Sequence, residues 1–144
     1  MKGIVNNINE TDMTITVNDY QRLMGFVQLA SLKSKMPAVT NKLVERLGTA
    51  KQLPQKQIAK SIVTMNSQVK LKNVANAREA ELTITYPQDA DHRENRISVF
   101  SEIGLALLGR KENDVVSWRV PNGIGTFRIE KVLYQPEAAG DFFL

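Results

Sequence analysis

The chain has 144 residues, of which 42% are hydrophobic, and a chain of this size buries one fair core rather than two, so we expect one domain with an appendage. It contains no cysteine, which excludes disulfides and thiolate metal sites and fits a reducing cytoplasm, where we expect the protein to act. No run approaches the ~18 apolar residues of a membrane span, and the N-terminus lacks the layout of a signal peptide, so we predict no membrane partner.

The net charge of +4 is unevenly divided along the chain. Residues 1–60 contain nine Lys or Arg against four Asp or Glu, whereas residues 61–144 contain ten against eleven. Two interpretations of the basic part stay open. It is either a solvated basic helix surface or an arm that enters an acidic or nucleic-acid-lined space.

The first predicted helix follows an extended lead-in. Residues 13–17 alternate apolar and polar side chains, as a strand does. Asn18 and Gln21 have the spacing of a capping box with Asn18 as the cap. We therefore predict a helix over residues 19–33.

A second helix is predicted to begin at Pro37, because proline is favoured in the first turn of a helix but cannot continue the preceding one. Its apolar side chains recur at steps of three or four to about residue 52, where Leu53-Pro54 stops them. Two amphipathic helices joined by so short a loop predict an antiparallel helical hairpin. Residues 55–62 then form a polar linker.

From Val63 onward the hydrophobic period changes to two, which predicts an antiparallel sheet of about five strands. Pro121-Asn122-Gly123 lies between two such strands and predicts a hairpin. The polar residues 88–95 predict an exposed loop. The alternating apolar positions are Val69 and Leu71; Ala80, Leu82 and Ile84; Val116, Trp118 and Val120; and Phe127 and Ile129.

Residues 97–114 contain a strand, a helix cap, a short helix and its stop signal in succession. Ser101 stands where an N-cap hydroxyl accepts a hydrogen bond from the first free backbone N–H groups, and Glu102 suits the first turn. Gly109 can end the helix in the left-handed conformation. We predict a helix over residues 102–110 that covers the apolar face of the sheet.

This stretch resembles the signature of the C-terminal domain of the Gre transcript-cleavage factors. Glu102 stands where most members have proline, and Asn113 where they have glycine. The resemblance covers about residues 63–134 and implies an FKBP-like domain. The positions that match the signature in register are Ser101, Ile103, Gly104, Ala106, Leu107, Leu108, Gly109 and Asp114.

Two further stretches, Val63–Ser67 and Tyr134–Asp141, are similar to the Rnk branch of this family, which has a short helical hairpin in place of the long Gre coiled coil. The predicted fold is therefore α+β: a short N-terminal antiparallel helical hairpin, then an FKBP-like antiparallel β-sheet domain packed against one short helix. We divide the chain into a lead-in, hairpin and linker over residues 1–60 and a Gre-type domain with its tail over residues 61–144.

The resemblance implies a partner, RNA polymerase, on which the Gre C-terminal domain docks at the rim of the secondary channel. The corresponding loop in this chain is Phe100, Ser101, Glu102 and Ile103. Phe100 is either a contact residue or simply part of the core. No independent DNA binding is expected, and we expect a monomer.

Gre factors deliver acidic side chains at the tip of their coiled coil to help hold a magnesium ion for RNA hydrolysis. The predicted tip of this hairpin carries Lys33, Lys35 and Met36, and no carboxylate is nearer than Asp19 or Glu45. Since hard cations need oxygen ligands close by, we predict no stimulation of transcript cleavage and expect no catalytic residue, cofactor or metal ion. The two lysines either reach into the channel or form a solvated tip.

The resulting hypothesis is a non-enzymatic regulator of the Rnk type that binds RNA polymerase and competes with Gre factors. A Gre-type cleavage and elongation factor and an FKBP-like prolyl isomerase are the alternatives. Isomerase activity needs a deep aromatic pocket, whereas aromatic residues are few and we expect Trp118 to lie in the core. His92 has charged neighbours and is interpreted as loop surface.

Overall fold

The computed structural model describes residues 13–31 and 38–143. The first part of the chain forms two helices. The strand before the first helix pairs in parallel with the strand after the second, with Thr14 opposite Lys51 and Thr16 opposite Leu53. This pairing was not predicted, and it explains why the second helix ends before residue 52. The elements are β1 (Thr14–Thr16), α1 (Val17–Ser31), α2 (Ala38–Gly48) and β2 (Lys51–Leu53).

A five-stranded sheet and two short helices make up the rest of the fold. The 3-10 turn at Gln55–Gln57 connects β2 to this part. The elements are β3 (Gln68–Asn73), β4 (Glu79–Thr85), β5 (Arg96–Ser98), α3 (Glu102–Leu107), β6 (Val115–Val120), β7 (Gly123–Tyr134) and α4 (Pro136–Ala139). The order of the strands across the sheet is β5-β4-β3-β7-β6.

The sheet is mixed, so the prediction of a wholly antiparallel sheet is wrong at one edge. β5 runs parallel to β4, with Ile84 opposite Ile97. The chain leaves β4 through two exposed 3-10 turns, Pro87–Asp89 and His92–Glu94, and re-enters the sheet in the same direction. The predicted hairpin between β6 and β7 is confirmed, because Val120 pairs with Gly123.

The first helix begins two residues earlier than the sequence predicts. The hydroxyl oxygen of Thr16 accepts a hydrogen bond of 3.0 Å from the backbone N–H of Asp19, which is the N-cap contact that we had assigned to Asn18. Asn18 is exposed. The side chain of Asp19 is thereby left available for contacts outside its own helix.

One hydrophobic cluster joins the two parts of the chain. Its members from β1, α1 and α2 pack with members from the sheet and α3, so the helices bury their apolar faces on the same core as the sheet. No helix in the described ranges is long and apolar enough to span a membrane. Fully buried members include Ile15, Leu23, Leu43, Leu47, Leu71, Ile84, Leu107, Leu108 and Ile129.

Candidate functional site

The loop that joins β5 to α3 is fixed by the hydroxyls of two serines. Ser101 Oγ accepts a hydrogen bond of 3.1 Å from the Gly104 N–H, and donates one of 2.6 Å to the Ser98 carbonyl. Ser98 Oγ in turn accepts from the Phe100 N–H at 3.0 Å. The predicted cap is therefore confirmed, and the Ser101 hydroxyl is committed to holding the loop rather than facing a ligand.

Gly104 allows α3 to approach this loop closely. A Cβ atom at Gly104 would lie 2.3 Å from the Ser98 carbonyl oxygen, a backbone atom that cannot move aside without reshaping the loop. Any larger residue would push the helix away from the loop. The position of α3 therefore depends on the absence of a side chain at this point.

Glu102 is the exposed member of the predicted docking loop. Its Oε1 lies 2.9 Å from both Nε and Nη2 of Arg119 on β6, and 42% of its side chain is exposed. Ser101, Ile103 and Phe100 are half-buried beside it. The Arg119 contact could not be predicted from the sequence, because the two residues are 17 positions apart and on different elements.

Phe100 packs on the first helix. Its ring meets Phe26 edge-on at a centroid distance of 6.4 Å, and Phe26 stacks on Tyr86 at 5.4 Å. The guanidinium carbon of Arg22 lies 5.1 Å from the Tyr86 ring centroid, within cation–π range. Phe100 is therefore partly a core residue, and this row of side chains connects the loop to α1.

Asp19 is a buried carboxyl group between α1 and the sheet. Its Oδ2 accepts from the Met65 N–H at 3.1 Å, and its Oδ1 accepts from the Tyr86 hydroxyl at 3.3 Å. Burial, aided by the nearby charge of Glu137, raises the pKa of Asp19 to about 6, despite the opposing effect of the Met65 hydrogen bond. Burial and the Asp19 charge also raise the pKa of Tyr86 above its ordinary value.

Arg46 ties α2 to the end of α3. This buried side chain donates from Nη1 to the Leu105 carbonyl and from Nη2 to the Leu108 carbonyl, the latter at 2.9 Å. These carbonyls lie at the C-terminal end of α3, where a cation also interacts favourably with the helix dipole. Arg46 could not be identified from the sequence, because its position is that of an ordinary charged residue in an amphipathic helix.

Gly109, which follows α3, makes a second contact between this helix and the N-terminal part of the chain. Its φ of +79° is the left-handed conformation that the sequence predicts. A Cβ atom there would lie 2.2 Å from Cγ of Met13, and the Thr14 N–H donates to the Gly109 carbonyl at 3.2 Å. The start of β1 is thus seated against the end of α3.

The predicted arm tip, Lys33, Lys35 and Met36, lies outside the described residues. Within residues 13–31 and 38–143, there is no group of three or more His, Asp or Glu side chains that could hold a metal ion. His92 is exposed in its 3-10 turn. The predicted docking residues that the structure describes are therefore Phe100, Ser101, Glu102 and Ile103.

A family model for the C-terminal region of the transcription elongation factors GreA and GreB matches residues 58–134. The chain is 33% identical over 132 residues to the regulator of nucleoside diphosphate kinase from Escherichia coli K12, covering 91% of this chain and 97% of that protein. It is 34% identical over 92 residues to GreA from Christiangramia forsetii, covering 64% of this chain and 58% of that protein.

A solved structure is also similar to the fold. The prokaryotic transcription elongation factor GreA/GreB from Nitrosomonas europaea superposes with a TM-score of 0.74 at 30% sequence identity. The match covers 85% of this chain and 98% of the other. The similarity therefore includes the helices as well as the sheet.

Proposed function

Because the chain belongs to the GreA/GreB family, we propose that it is an RNA polymerase-binding regulator of transcription, of the same type as the regulator of nucleoside diphosphate kinase. It binds near the secondary channel of the polymerase and competes there with Gre-type factors. It does not stimulate transcript cleavage. This role is non-enzymatic and places the protein in the cytoplasm.

The length of the helices is the observation that carries the proposal. α1 has 15 residues and α2 has 11, so at ~1.5 Å per residue α1 is about 22 Å long. We propose that the two form an antiparallel hairpin, an arm too short to reach the polymerase active centre. The alignment with nearly the whole E. coli regulator, but with only 58% of GreA, supports the same interpretation.

The residues between the two helices also support a role without stimulation of transcript cleavage. The sequence between the helices contains Lys33 and Lys35 but no Asp or Glu, so it offers no carboxylate ligand for a magnesium ion. We propose that these lysines meet acidic or nucleic-acid surface of the polymerase. Replacing both with Ala should then reduce the salt dependence of binding.

Docking is assigned to the FKBP-like part of the chain, through the loop of Phe100, Ser101, Glu102 and Ile103. Ser98 and Ser101 keep this loop in one shape before binding, which lowers the entropic cost of docking. Glu102 offers an exposed carboxylate, which pairs with Arg119 in the unbound protein. Any effect on nucleoside diphosphate kinase is then indirect, through transcription.

The deciding experiment adds the purified protein to a stalled elongation complex, with and without a Gre factor. We expect no shortened RNA from the protein alone, and a dose-dependent loss of Gre-stimulated cleavage. Shortened RNA from the protein alone would identify a cleavage factor instead. Unchanged Gre activity at saturating protein would contradict the proposal, and proline-peptide isomerisation above background would favour an isomerase.

Glu102→Lys tests the docking loop, because it reverses the exposed charge while leaving the Ser101 cap intact. We expect roughly threefold to tenfold weaker competition, the usual effect of a charge at the edge of an interface. Glu79→Lys is the matched control, since Glu79 is an exposed carboxylate on β4 that also pairs with a cation, Lys70, at 3.4 Å. Equal competition by both variants would move the docking surface elsewhere.

A further inference from the structure

A row of four half-buried polar side chains crosses the face of the sheet that lies opposite the core. Thr83 on β4 has Gln68 of β3 on one side and Arg96 of β5 on the other. Gln68 in turn lies opposite Tyr134 on β7. The residues before and after Thr83 are buried in the core, so Thr83 points to the opposite face. Since neighbouring strands are ~4.8 Å apart, the row is about 14 Å long from Arg96 to Tyr134.

These four residues and Asn66, which lies in the turn before β3, line a pocket of about 270 Å³. Among residues 13–31 and 38–143, the side chains of Asn66, Gln68 and Thr83 make no hydrogen bond with another protein group. Two amides and one hydroxyl thus meet at one pocket with their donors and acceptors available to a ligand.

Polar groups elsewhere on this face pair with each other across the strands. Ser117 Oγ lies 3.1 Å from Thr126 Oγ1, and Lys70 Nζ lies 3.4 Å from Glu79 Oε1. The polar side chains of the pocket therefore differ from these neighbours in being directed at a shared space rather than at one another.

Arg96 gives the pocket its positive charge. Its Nε donates to the Asp89 carbonyl at 3.0 Å, which restrains the side chain. In the described part of the chain, neither Nη1 nor Nη2 has an acceptor, and no carboxylate forms an ion pair with this residue. A guanidinium group only donates, and its planar pair of N–H groups matches the two oxygens of a carboxylate or phosphate group.

The Tyr134 end of the pocket favours an uncharged group. The Tyr134 hydroxyl donates to Asp141 Oδ2, so a carboxylate lies at this end and repels a second anion. The Tyr134 ring offers a surface on which another ring packs. A cavity of roughly 150 Å³ holds a benzene ring, so the volume here also leaves space for an anionic group.

We propose that this pocket binds a small organic anion. The carboxylate or phosphate group of the ligand lies on Arg96, its polar atoms bond to Thr83 and Gln68, and its uncharged ring packs on Tyr134. The proposal holds whether or not the protein binds RNA polymerase.

The test is a titration of the isotope-labelled full chain with phenyl phosphate and with benzoate, followed by the NMR signals of its amides. We expect saturable shifts at Gln68, Thr83 and Arg96, with a Kd of about 1 mM or lower for the better ligand. The tighter of the two identifies the anionic group as phosphate or carboxylate.

Two further probes separate the charge of the ligand from its ring. Benzamide, the uncharged analogue of benzoate, should bind roughly tenfold more weakly than benzoate, because it loses the charged contact with Arg96. Inorganic phosphate should bind about threefold more weakly than phenyl phosphate, because it has no ring for Tyr134.

Two variants test the same pocket from the protein side. Arg96→Gln keeps a donor but removes the charge, and should weaken anion binding about tenfold. Arg93→Gln, the matched control at an exposed residue of the 3-10 turn before β5, should leave it unchanged. Thr83→Val keeps the branched shape, loses the hydroxyl and should cost roughly threefold. The melting temperature of each variant confirms that it is folded.

Three results would overturn the proposal. Equal affinity for benzoate and benzamide would mean that the pocket does not recognise an anion, and this comparison uses the unaltered protein. Equal affinity for inorganic phosphate and phenyl phosphate would exclude a ring on Tyr134. Shifts confined to other parts of the chain, or undiminished binding by Arg96→Gln, would place the anion on another cationic residue.

Discussion

Asp19 is a carboxyl group whose surroundings suit its protonated form better than its charged form. It is buried beside the Met65 backbone and Tyr86, with the negative charge of Glu137 and the positive charge of Arg22 both close enough to affect its pKa. Because its pKa is raised from 3.8 to about 6, the folded state binds the proton more tightly than the unfolded chain does. The stability that this group contributes is present below pH ~4 and is lost as the pH rises to ~6.

Asp19→Asn should therefore stabilise the protein at neutral pH. Asn keeps an oxygen for the Met65 N–H and can donate to the Tyr86 oxygen, without a buried charge. We expect the variant to be more stable than the natural protein by up to about 3 kcal/mol at pH 7, with the gap closing towards pH 4. Urea unfolding of both proteins across this range measures the gap.

Glu81→Gln serves as the control, because it makes the same change from carboxylate to amide at an exposed residue of β4. A gap between Asp19→Asn and the natural protein that stays constant with pH would contradict this explanation. So would an Asn variant that is less stable throughout, since that result would mean that the carboxylate makes contacts which the amide cannot replace.

At the scale of single elements, α3 is the part that sequence predicts best, because its signals are local. Ser101 caps it and Gly109 adopts the left-handed conformation after it, both within one short stretch. Asn113, which differs from the Gre signature, has a φ of 76°, a conformation that Asn and Gly both tolerate. That departure therefore changes little in the local structure.

The contacts that position α3 were not predictable in the same way, since they join residues far apart in the sequence. The ion pair between Glu102 and Arg119 and the ring contact between Phe100 and Phe26 form only when the elements pack together. β5 runs parallel to β4 because of the path that the chain takes through the two 3-10 turns between them. The hydrophobic periodicity of the sequence does not indicate this path. The arm tip and the docking residues remain predictions about binding.

Ser101→Ala should destabilise the protein by about 1 kcal/mol, the usual cost of removing an N-cap hydroxyl. Ser101→Thr keeps a hydroxyl for both the Gly104 N–H and the Ser98 carbonyl, and should cost much less. Chemical denaturation of the two variants gives the comparison. If Ser101→Ala and Ser101→Thr lower the free energy of unfolding by the same amount, the cap does not stabilise α3.

At the scale of the whole molecule, the helices and the sheet depend on one core. Leu23 and Leu43 lie in the same buried cluster as Leu107 and Ile129. Arg46 and Asp19 add hydrogen bonds between the helices and the rest of the fold. The orientation of the helices relative to the loop between β5 and α3 is therefore set by buried contacts rather than by the linker of residues 55–62.

Thermal unfolding should accordingly be a single transition. Trp118 fluorescence reports on the sheet and ellipticity at 222 nm on the helices, and we expect the two midpoints to coincide. Arg46→Met should lower both together by roughly 5–10 °C, because it removes about 2 kcal/mol of charged hydrogen bonds. Two separate midpoints in the natural protein would mean that the helices and the sheet unfold independently.

The contacts of Arg46 also affect how the chain folds during its own synthesis. Leu105, one of its two acceptors, lies 59 residues further along the chain. At ~5–20 residues per second, a ribosome adds Leu105 roughly 3 to 12 s after Arg46. The part of the protein that is made first therefore waits for α3 before Arg46 can make these contacts, and a nascent chain halted before α3 would expose the apolar faces of α1 and α2 to chaperones and proteases.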